Sequence, residues 1–373
     1  MAAELFEGLN VGPVKLANRI VVAPMCQYSA SDGSATDWHL QHLSQLAYSG
    51  AALVMVEATA VERRGRITHG DLGLYSDENE ACLKRVIDAA RRLGGPAKFG
   101  IQLAHAGRKA STRAPWDGGV PLTEQEDAWQ TVSSSAVPFG ENWHVPKALS
   151  KTDIESTVAA FVQAAQRAVR IGFDVIEVHG AHGYLIHQFL SPLVNNRTDE
   201  FGGSLENRMR LPLEIIRAVR EAVPASVAVG LRVSATDWVE GGWDVSQTIE
   251  LVKRAKQLGV VYVCASSGGI RANVSVPTKP NYQVPFAQEI RKATGVITRA
   301  VGLITDAHQA NEIIRSGQAD LIALARAFLD DPRWGWHAAD KLGAKVHAPP
   351  QYALARGEHW RHSRDESAGT THG

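Results

Sequence analysis

Eight short apolar runs recur along the chain, at Ile20–Ala23, Leu53–Glu57, Lys98–Leu103, Val175–Val178, Val227–Val233, Val261–Ala265, Ile297–Ala300 and Leu321–Leu324. Each has the length of a buried strand, and apolar residues between them recur at helical spacing. Ile154, Val158, Phe161, Val162, Ala165 and Val169 line one helix face, with Thr152-Asp153-Ile154-Glu155 as a capping box and Gly172 as a stop. Thr305 or Asp306 caps a later helix that runs to Gly317. Strands separated by helices predict parallel βα units. A doubly wound sheet shows the same alternation, but the number of strands favours a closed (β/α)8 TIM barrel.

The chain has 373 residues, roughly a hundred more than a typical ~250-residue barrel. The excess falls after strand ends, at His105–Ser150, Gly180–Ser204 and Ser266–Tyr282, and in the C-terminal tail. Such connections predict a roof of strand-to-helix loops over the catalytic face. Residues 1–356 are expected to form one barrel domain and residues 357–373 a polar, flexible tail. Lys+Arg and Asp+Glu both number 39, which argues against a generic nucleic-acid binder. Three scattered cysteines, Cys26, Cys82 and Cys264, give neither a disulfide framework nor a CxxC site. The N-terminus lacks a signal-peptide pattern and no apolar stretch reaches membrane-spanning length, so a cytoplasmic enzyme is expected.

In a barrel, chemistry sits at the carboxyl ends of the strands. Val175–Val178 runs into His179-Gly180-Ala181-His182-Gly183-Tyr184, two imidazoles and a phenol at one such end. Other strand ends bring Ala23-Pro24-Met25-Cys26-Gln27-Tyr28, Ala60, Gln102, His105, Arg232, Gly302 and Ala325-Arg326. The histidine pair suits either metal ligation or hydrogen-bond donation to an oxygen. Zinc requires a third protein ligand, which no other strand end obviously supplies. Cys26 alone reads equally as a small buried hydrophobe.

The motifs Pro24-Met25-Cys26-Gln27-Tyr28, His105-Ala106-Gly107-Arg108, His179 to Tyr184, and Arg197-Thr198-Asp199-Glu200-Phe201-Gly202-Gly203-Ser204-Leu205-Glu206-Asn207-Arg208 together carry a resemblance. From about Leu5 to about Tyr352, the chain resembles the old yellow enzyme family of FMN-dependent ene-reductases. Within it, the chain is similar to the bacterial thermophilic-like subclass with an active-site cysteine, which includes xenobiotic reductases. The resemblance implies that His179 and His182 hold the oxygen of an activated alkene and that Tyr184 donates a proton to its α-carbon. It implies that Cys26 tunes the flavin and that Tyr28 binds substrate. Ala23, Pro24, Met25, Cys26, Ala60, Gln102, Arg232, Gly302, Ala325 and Arg326 are the implied FMN contacts. Arg232 would face the flavin edge where negative charge develops on reduction. Gly302 and Arg326 would hold the phosphate, and Ala325 departs from the glycine common in the family.

The implied reductant is NADPH, with NADH as the alternative. The substrates are small activated alkenes or nitro compounds, and the assembly a homodimer or homotetramer. The family's C-terminal arginine or aromatic enters a neighbouring active site; here Arg356 is the candidate and Trp360 its competitor. The main alternative is a metal-dependent barrel hydrolase built on the histidine pair. A flavin barrel acting on tRNA lacks a basic RNA-binding segment here. The iron–sulfur dienoyl-CoA reductases need a cysteine cluster that this sequence lacks.

Overall fold

In the computed structural model, which describes residues 3–356, the eight apolar runs all mark strands of one closed parallel barrel. These are β1 (Ile20–Val22), β2 (Leu53–Ala60), β3 (Lys98–Ala104), β4 (Val175–Gly180), β5 (Ala228–Ser234), β6 (Tyr262–Ser266), β7 (Ile297–Ala300) and β8 (Leu321–Leu324). Each strand pairs with its neighbours in sequence, and β8 closes on β1 through Ile322 opposite Ile20. Helices α1 (Asp37–Ala47), α2 (Asp77–Gly94), α3 (Lys151–Ile171), α4 (Leu205–Ala222), α5 (Val245–Gln257), α6 (Val284–Thr294), α7 (Ala307–Arg315) and α8 (Trp334–Leu342) follow the strands in turn. The doubly wound alternative is thereby excluded.

The strand boundaries differ from the apolar runs where it matters for chemistry. β4 continues through His179 to Gly180, because His179 pairs in register with Arg232 on β5. β2 continues to Ala60, and its register against β3 skips from Val56 to Ala58. Glu57 is therefore an extra residue, as at a bulge, and such a residue can re-aim its side chain.

The helix ends follow local chemistry. α3 starts earlier than the Thr152–Glu155 pattern suggests: Ser150 is its N-cap, and Asp153 completes the capping box. Asp153 lies three residues beyond a hydroxyl that can accept from its N–H, and its carboxylate reaches back to the Ser150 N–H at 3.0 Å. Gly172, at φ +97°, ends the helix as expected. Asp306 rather than Thr305 caps α7, which stops at Arg315, short of Gly317.

Two apolar layers hold the barrel. One fills the space between sheet and helices, with Val54, Ile101, Ile176, Leu231, Phe99 and Phe161 among its members. The second joins strand residues Val21, Leu53, Val175, Ala228, Tyr262 and Leu321 to Val11, Val14 and Leu16. The last three belong to a small hairpin, Leu9–Val11 with Val14–Leu16, which the sequence pattern did not single out because each strand has only three residues.

The barrel interior also carries charge. Glu177 accepts hydrogen bonds from Gln102 Nε2 at 2.8 Å, from Tyr262 Oη at 2.8 Å and from Arg299 Nη2. Gly230 lies in register between Glu177 and Tyr262. A Cβ there would sit 2.1 Å from Tyr262 Cε1, so the tyrosine ring reaches the carboxylate only across a glycine. Replacing Gly230 with Ala should destabilise the protein by about 1–3 kcal/mol, the usual cost of overpacking a closed core. Urea unfolding measures this, and an unchanged midpoint would contradict the packing.

Candidate active site

His179 and His182 sit edge-on to each other, with ring centroids 5.0 Å apart. The Tyr184 ring lies 5.1 Å from His179 and 6.4 Å from His182. His179 is buried, and its Nδ1 accepts the Ala181 N–H at 3.3 Å, which leaves its proton on Nε2. His182 adopts a left-handed backbone (φ +59°), with its N–H donated to Ser234 Oγ and its Nε2 2.7 Å from Ser266 Oγ. Burial, followed by the charge of Arg232, holds both imidazoles well below their usual pKa. Burial, with Cys26 next, pushes the Tyr184 phenol well above its usual value. At neutral pH the cluster is therefore two neutral imidazoles and an un-ionised phenol.

The loop between His182 and Tyr184 rests on residues that sequence reasoning missed. Gly183 N–H donates to His187 Nδ1 at 2.9 Å, and His187 Nε2 lies 2.8 Å from Asp237 Oδ1. Asp237 also accepts from Ser191 Oγ and from Trp243 N–H. The signal was present as polar His187 and Gln188 inside the apolar run Leu185–Leu190, which forms a short helix buried along its length. Lys109 was missed too. Its ammonium donates to His182 O at 2.9 Å and lies 5.3 Å from the Tyr184 ring centroid. Burial, then Arg108, lowers its pKa to about 8.

A buried carboxylate holds the loop after β1. Gln27 N–H donates to Glu57 Oε2 at 2.8 Å, and His39 Nε2 lies 3.3 Å from Glu57 Oε1. This anchors the loop that carries Cys26 and Tyr28, whose side chains are hydrogen-bonded to each other. Burial, then Asp71 and Glu57, pushes the Cys26 thiol well up, so it is held as a thiol. Tyr28, at φ +50°, packs edge-on against Trp116.

Beside the histidines a cavity of about 310 Å³ is lined by His182, Arg232, Tyr282, Gln283, Gly302 and Arg326, among others. Arg232 is buried, and its Nε has no hydrogen-bond partner. A permanently charged, unpartnered guanidinium at a cavity wall is a site for a group that carries negative charge. Gln102 gives its Nε2 to Glu177 and keeps its carbonyl oxygen as an acceptor. Gly302 lies at φ +113°, where a Cβ would meet Gln283 Nε2 at 2.5 Å. Ala325 has φ −107°, so its backbone does not require the glycine of the family pattern. This donor and acceptor set fits FMN.

Some expected contacts are more restricted. Ala23 N–H already donates to Leu324 O, and Ala60 N–H to Leu72 O. Met25 O is taken by Gln27 Nε2. The Ala23 and Ala60 N–H groups are therefore already spent within the protein, whereas Met25 O keeps a second lone pair. Arg356 is not brought to the histidines of its own chain. Its guanidinium is bidentate to Asp340 at 3.1 and 3.0 Å and lies 5.3 Å from the Trp336 ring. Trp360 and residues 357–373 lie outside the described residues.

Residues 4–344 match the NADH:flavin oxidoreductase / NADH oxidase family. The chain belongs to this family. Its members include the old yellow enzymes, and the chain is accordingly an FMN-dependent oxidoreductase. An NADPH dehydrogenase of Listeria innocua is 45% identical over 355 residues, covering 95% of this chain and 99% of that one. One from Geobacillus sp. is 45% identical over 358 residues, covering 94% and 98%. Morphinone reductase superposes with a TM-score of 0.74 at 29% identity, covering 93% of this chain and 92% of its own. A 2-naphthoyl-CoA reductase shares the fold, with a TM-score of 0.82 at 23% identity; the chain spans 53% of that protein. Among the described residues no group of three His, Cys, Asp or Glu side chains is placed to hold a metal ion. The hydrolase alternative thus gains no third ligand, and the family match points elsewhere.

Buried titratable groups behind the site set the acid limit of the fold. Burial, followed by His39, lowers His42 to about 4. Between an unfolded value near 6.5 and that folded value, the unfolded chain binds a proton that the folded chain does not, so stability falls as pH drops. Glu62 is held near 2: burial opposes this, but His105 and Arg64 outweigh it, which adds loss below about pH 4.5. Asp71, raised to about 7 by burial, works in the opposite sense, its cost being relieved as pH falls. A His42→Gln variant should lose less stability than the parent between about pH 6.5 and 4 in urea titrations. Equal slopes would mean that His42 is not neutral in the fold.

Proposed function

We propose that the protein reduces the activated double bond of small α,β-unsaturated carbonyl compounds, maleimides or nitroalkenes, with NADPH as reductant. The observation that carries this reading is the cluster of two neutral imidazoles and an un-ionised phenol beside the Arg232 cavity. Bound FMN supplies a hydride at its N5. The chain's residues do the rest.

His179 donates through Nε2–H to the carbonyl or nitro oxygen. His182 joins it when its proton is on Nδ1, the tautomer in which its Nε2 accepts the Ser266 hydroxyl across 2.7 Å. Two donors aimed at an oxygen stabilise the negative charge that gathers there as the β-carbon accepts hydride. Tyr184 delivers its proton to the α-carbon, and the nearby Lys109 ammonium offsets the charge left on the phenol. Tyr28 binds the substrate's far side, and Cys26 sets the polarity at the flavin's edge. Gln102, Arg232 and Arg326 hold the cofactor, with Gly302 shaping the phosphate end. The name NADPH dehydrogenase borne by the relatives favours NADPH over NADH. Reductant and acceptor share one pocket, which implies ping-pong kinetics. A homodimer or homotetramer in which Arg356 leaves Asp340 for a neighbour's pocket is part of the same reading.

Substituting His179 or His182 with Ala should lower kcat/KM for cyclohexenone by about 10²-fold, the worth of an oxyanion donor, with the yellow flavin retained. Wild-type efficiency in both variants would remove the oxygen clamp. Tyr184→Phe should slow flavin reoxidation by the alkene in stopped flow by roughly 10²-fold and leave reduction by NADPH unchanged. Equal slowing of both half-reactions would remove the proton-donor role.

A further inference from the structure

The barrel encloses an ion pair that the proposed reaction does not use. Glu177 and Arg299 are both wholly buried, and Arg299 is left with Nε and Nη1 unpartnered. Burying two charges costs several kcal/mol per ion, and apolar side chains of similar volume often serve stability as well or better. The pair therefore calls for a purpose other than packing.

Its geometry supplies one. Glu177 Oε2 takes Tyr262 Oη and Arg299 Nη2, which leaves Oε1 for Gln102 Nε2 at 2.8 Å. Gln102 and Glu177 are register partners on β3 and β4. The guanidinium, the phenol and the amide all donate to Glu177, so its carboxylate is engaged as an acceptor on both oxygens. Such an acceptor forces Gln102 to present its NH2 inward. A primary amide has only two in-plane orientations, so the carbonyl oxygen must take the other direction, where it has no protein partner.

We propose that Glu177, paired with Arg299, is a positioning residue that fixes the amide of Gln102 so that it offers flavin an acceptor and not a donor. This rests on the reading that Gln102 meets the pyrimidine edge of FMN. That edge alternates C2=O, N3–H and C4=O, and an acceptor selects N3–H. In the flipped amide the NH2 would oppose N3–H, one hydrogen bond would be lost, and two donors would face each other. The Glu177 pair thus writes one bit of information, the sense of an amide, into the cofactor site from below.

The test is a cycle on the full chain, read by FMN dissociation constant and flavin midpoint potential. Since Glu177→Gln alone would strand Arg299, the pair is removed together as Glu177→Gln/Arg299→Met, with folding checked by circular dichroism. The second arm is Gln102→Leu, and the third combines all three changes. Removing the pair should weaken FMN binding roughly tenfold, as for one lost hydrogen bond, and shift the potential. In the Gln102→Leu background, the same removal should change neither quantity further. An equal effect in both backgrounds would overturn the proposal, because Glu177 would then act through the barrel at large. If Gln102→Leu itself left affinity and potential at wild-type values, the premise that Gln102 meets the flavin would fail, and the proposal with it. Those two failures have different signatures in the single variant. A pair-deleted protein that does not fold would be replaced by Tyr262→Phe, which removes one partner of Glu177 and should shift the potential when Gln102 is present but not in the Gln102→Leu background. An equal shift in both backgrounds would also overturn the assignment.

Discussion

Parallel pairing between β4 and β5 sets His179 directly opposite Arg232, and most of the site's chemistry follows from that register. Burial first, and then a guanidinium one strand away, makes a positive charge on the imidazoles unwelcome, so the histidines stay neutral. The same neighbour cannot pair with a neutral ring, so Arg232 stays uncompensated in a buried wall. A slip of one residue would turn His179 and Arg232 to the opposite faces of the sheet. The two side chains would then no longer face one cavity together.

Arg232 and Lys109 act on the histidines, while Asp71 and Glu57 act on the Cys26 thiol. Phenol and thiol are kept protonated by desolvation and by neighbouring acids, so each remains a donor. The fold obtains this without a metal-like cluster among the described residues, using isolated buried groups whose charge states are fixed by location.

Loops then lock the rim. Arg108, after β3, donates to Val137 O and Pro138 O and also to Ile270 O beyond β6, so one guanidinium joins two distant connections. Gln188 adds bonds to Ala106 O and Gly183 O. The run from His179 to Tyr184 is thus held by the roof loops and by His187 and Asp237. A separate cavity of about 580 Å³ lies near Tyr28, Trp116 and Arg113.

The apolar runs, their number and their alternation with helical faces were enough to specify the barrel, because hydrophobic periodicity is a local property that burial rewards wherever the strand lies. The motifs at the strand ends likewise nominated Cys26, Gln102, His179, His182, Tyr184 and Arg232, and the fold gathers His179, His182 and Tyr184 beside the cavity that Arg232 lines. Other features were decided by tertiary contact alone. The capping frame of α3 depended on whether Asp153 or Glu155 could reach back to a hydroxyl. Lys109, His187 and Asp237 gained roles only when separate segments met around one loop. Ala60 lost its backbone N–H to Leu72. Arg356 was drawn to Asp340 within its own chain, a choice between surfaces that no local pattern encodes. Hydrogen bonds and charge states depend on partners that are distant in sequence, so the sequence alone determined the frame and its chemical inventory, and folding determined which groups were left free to act.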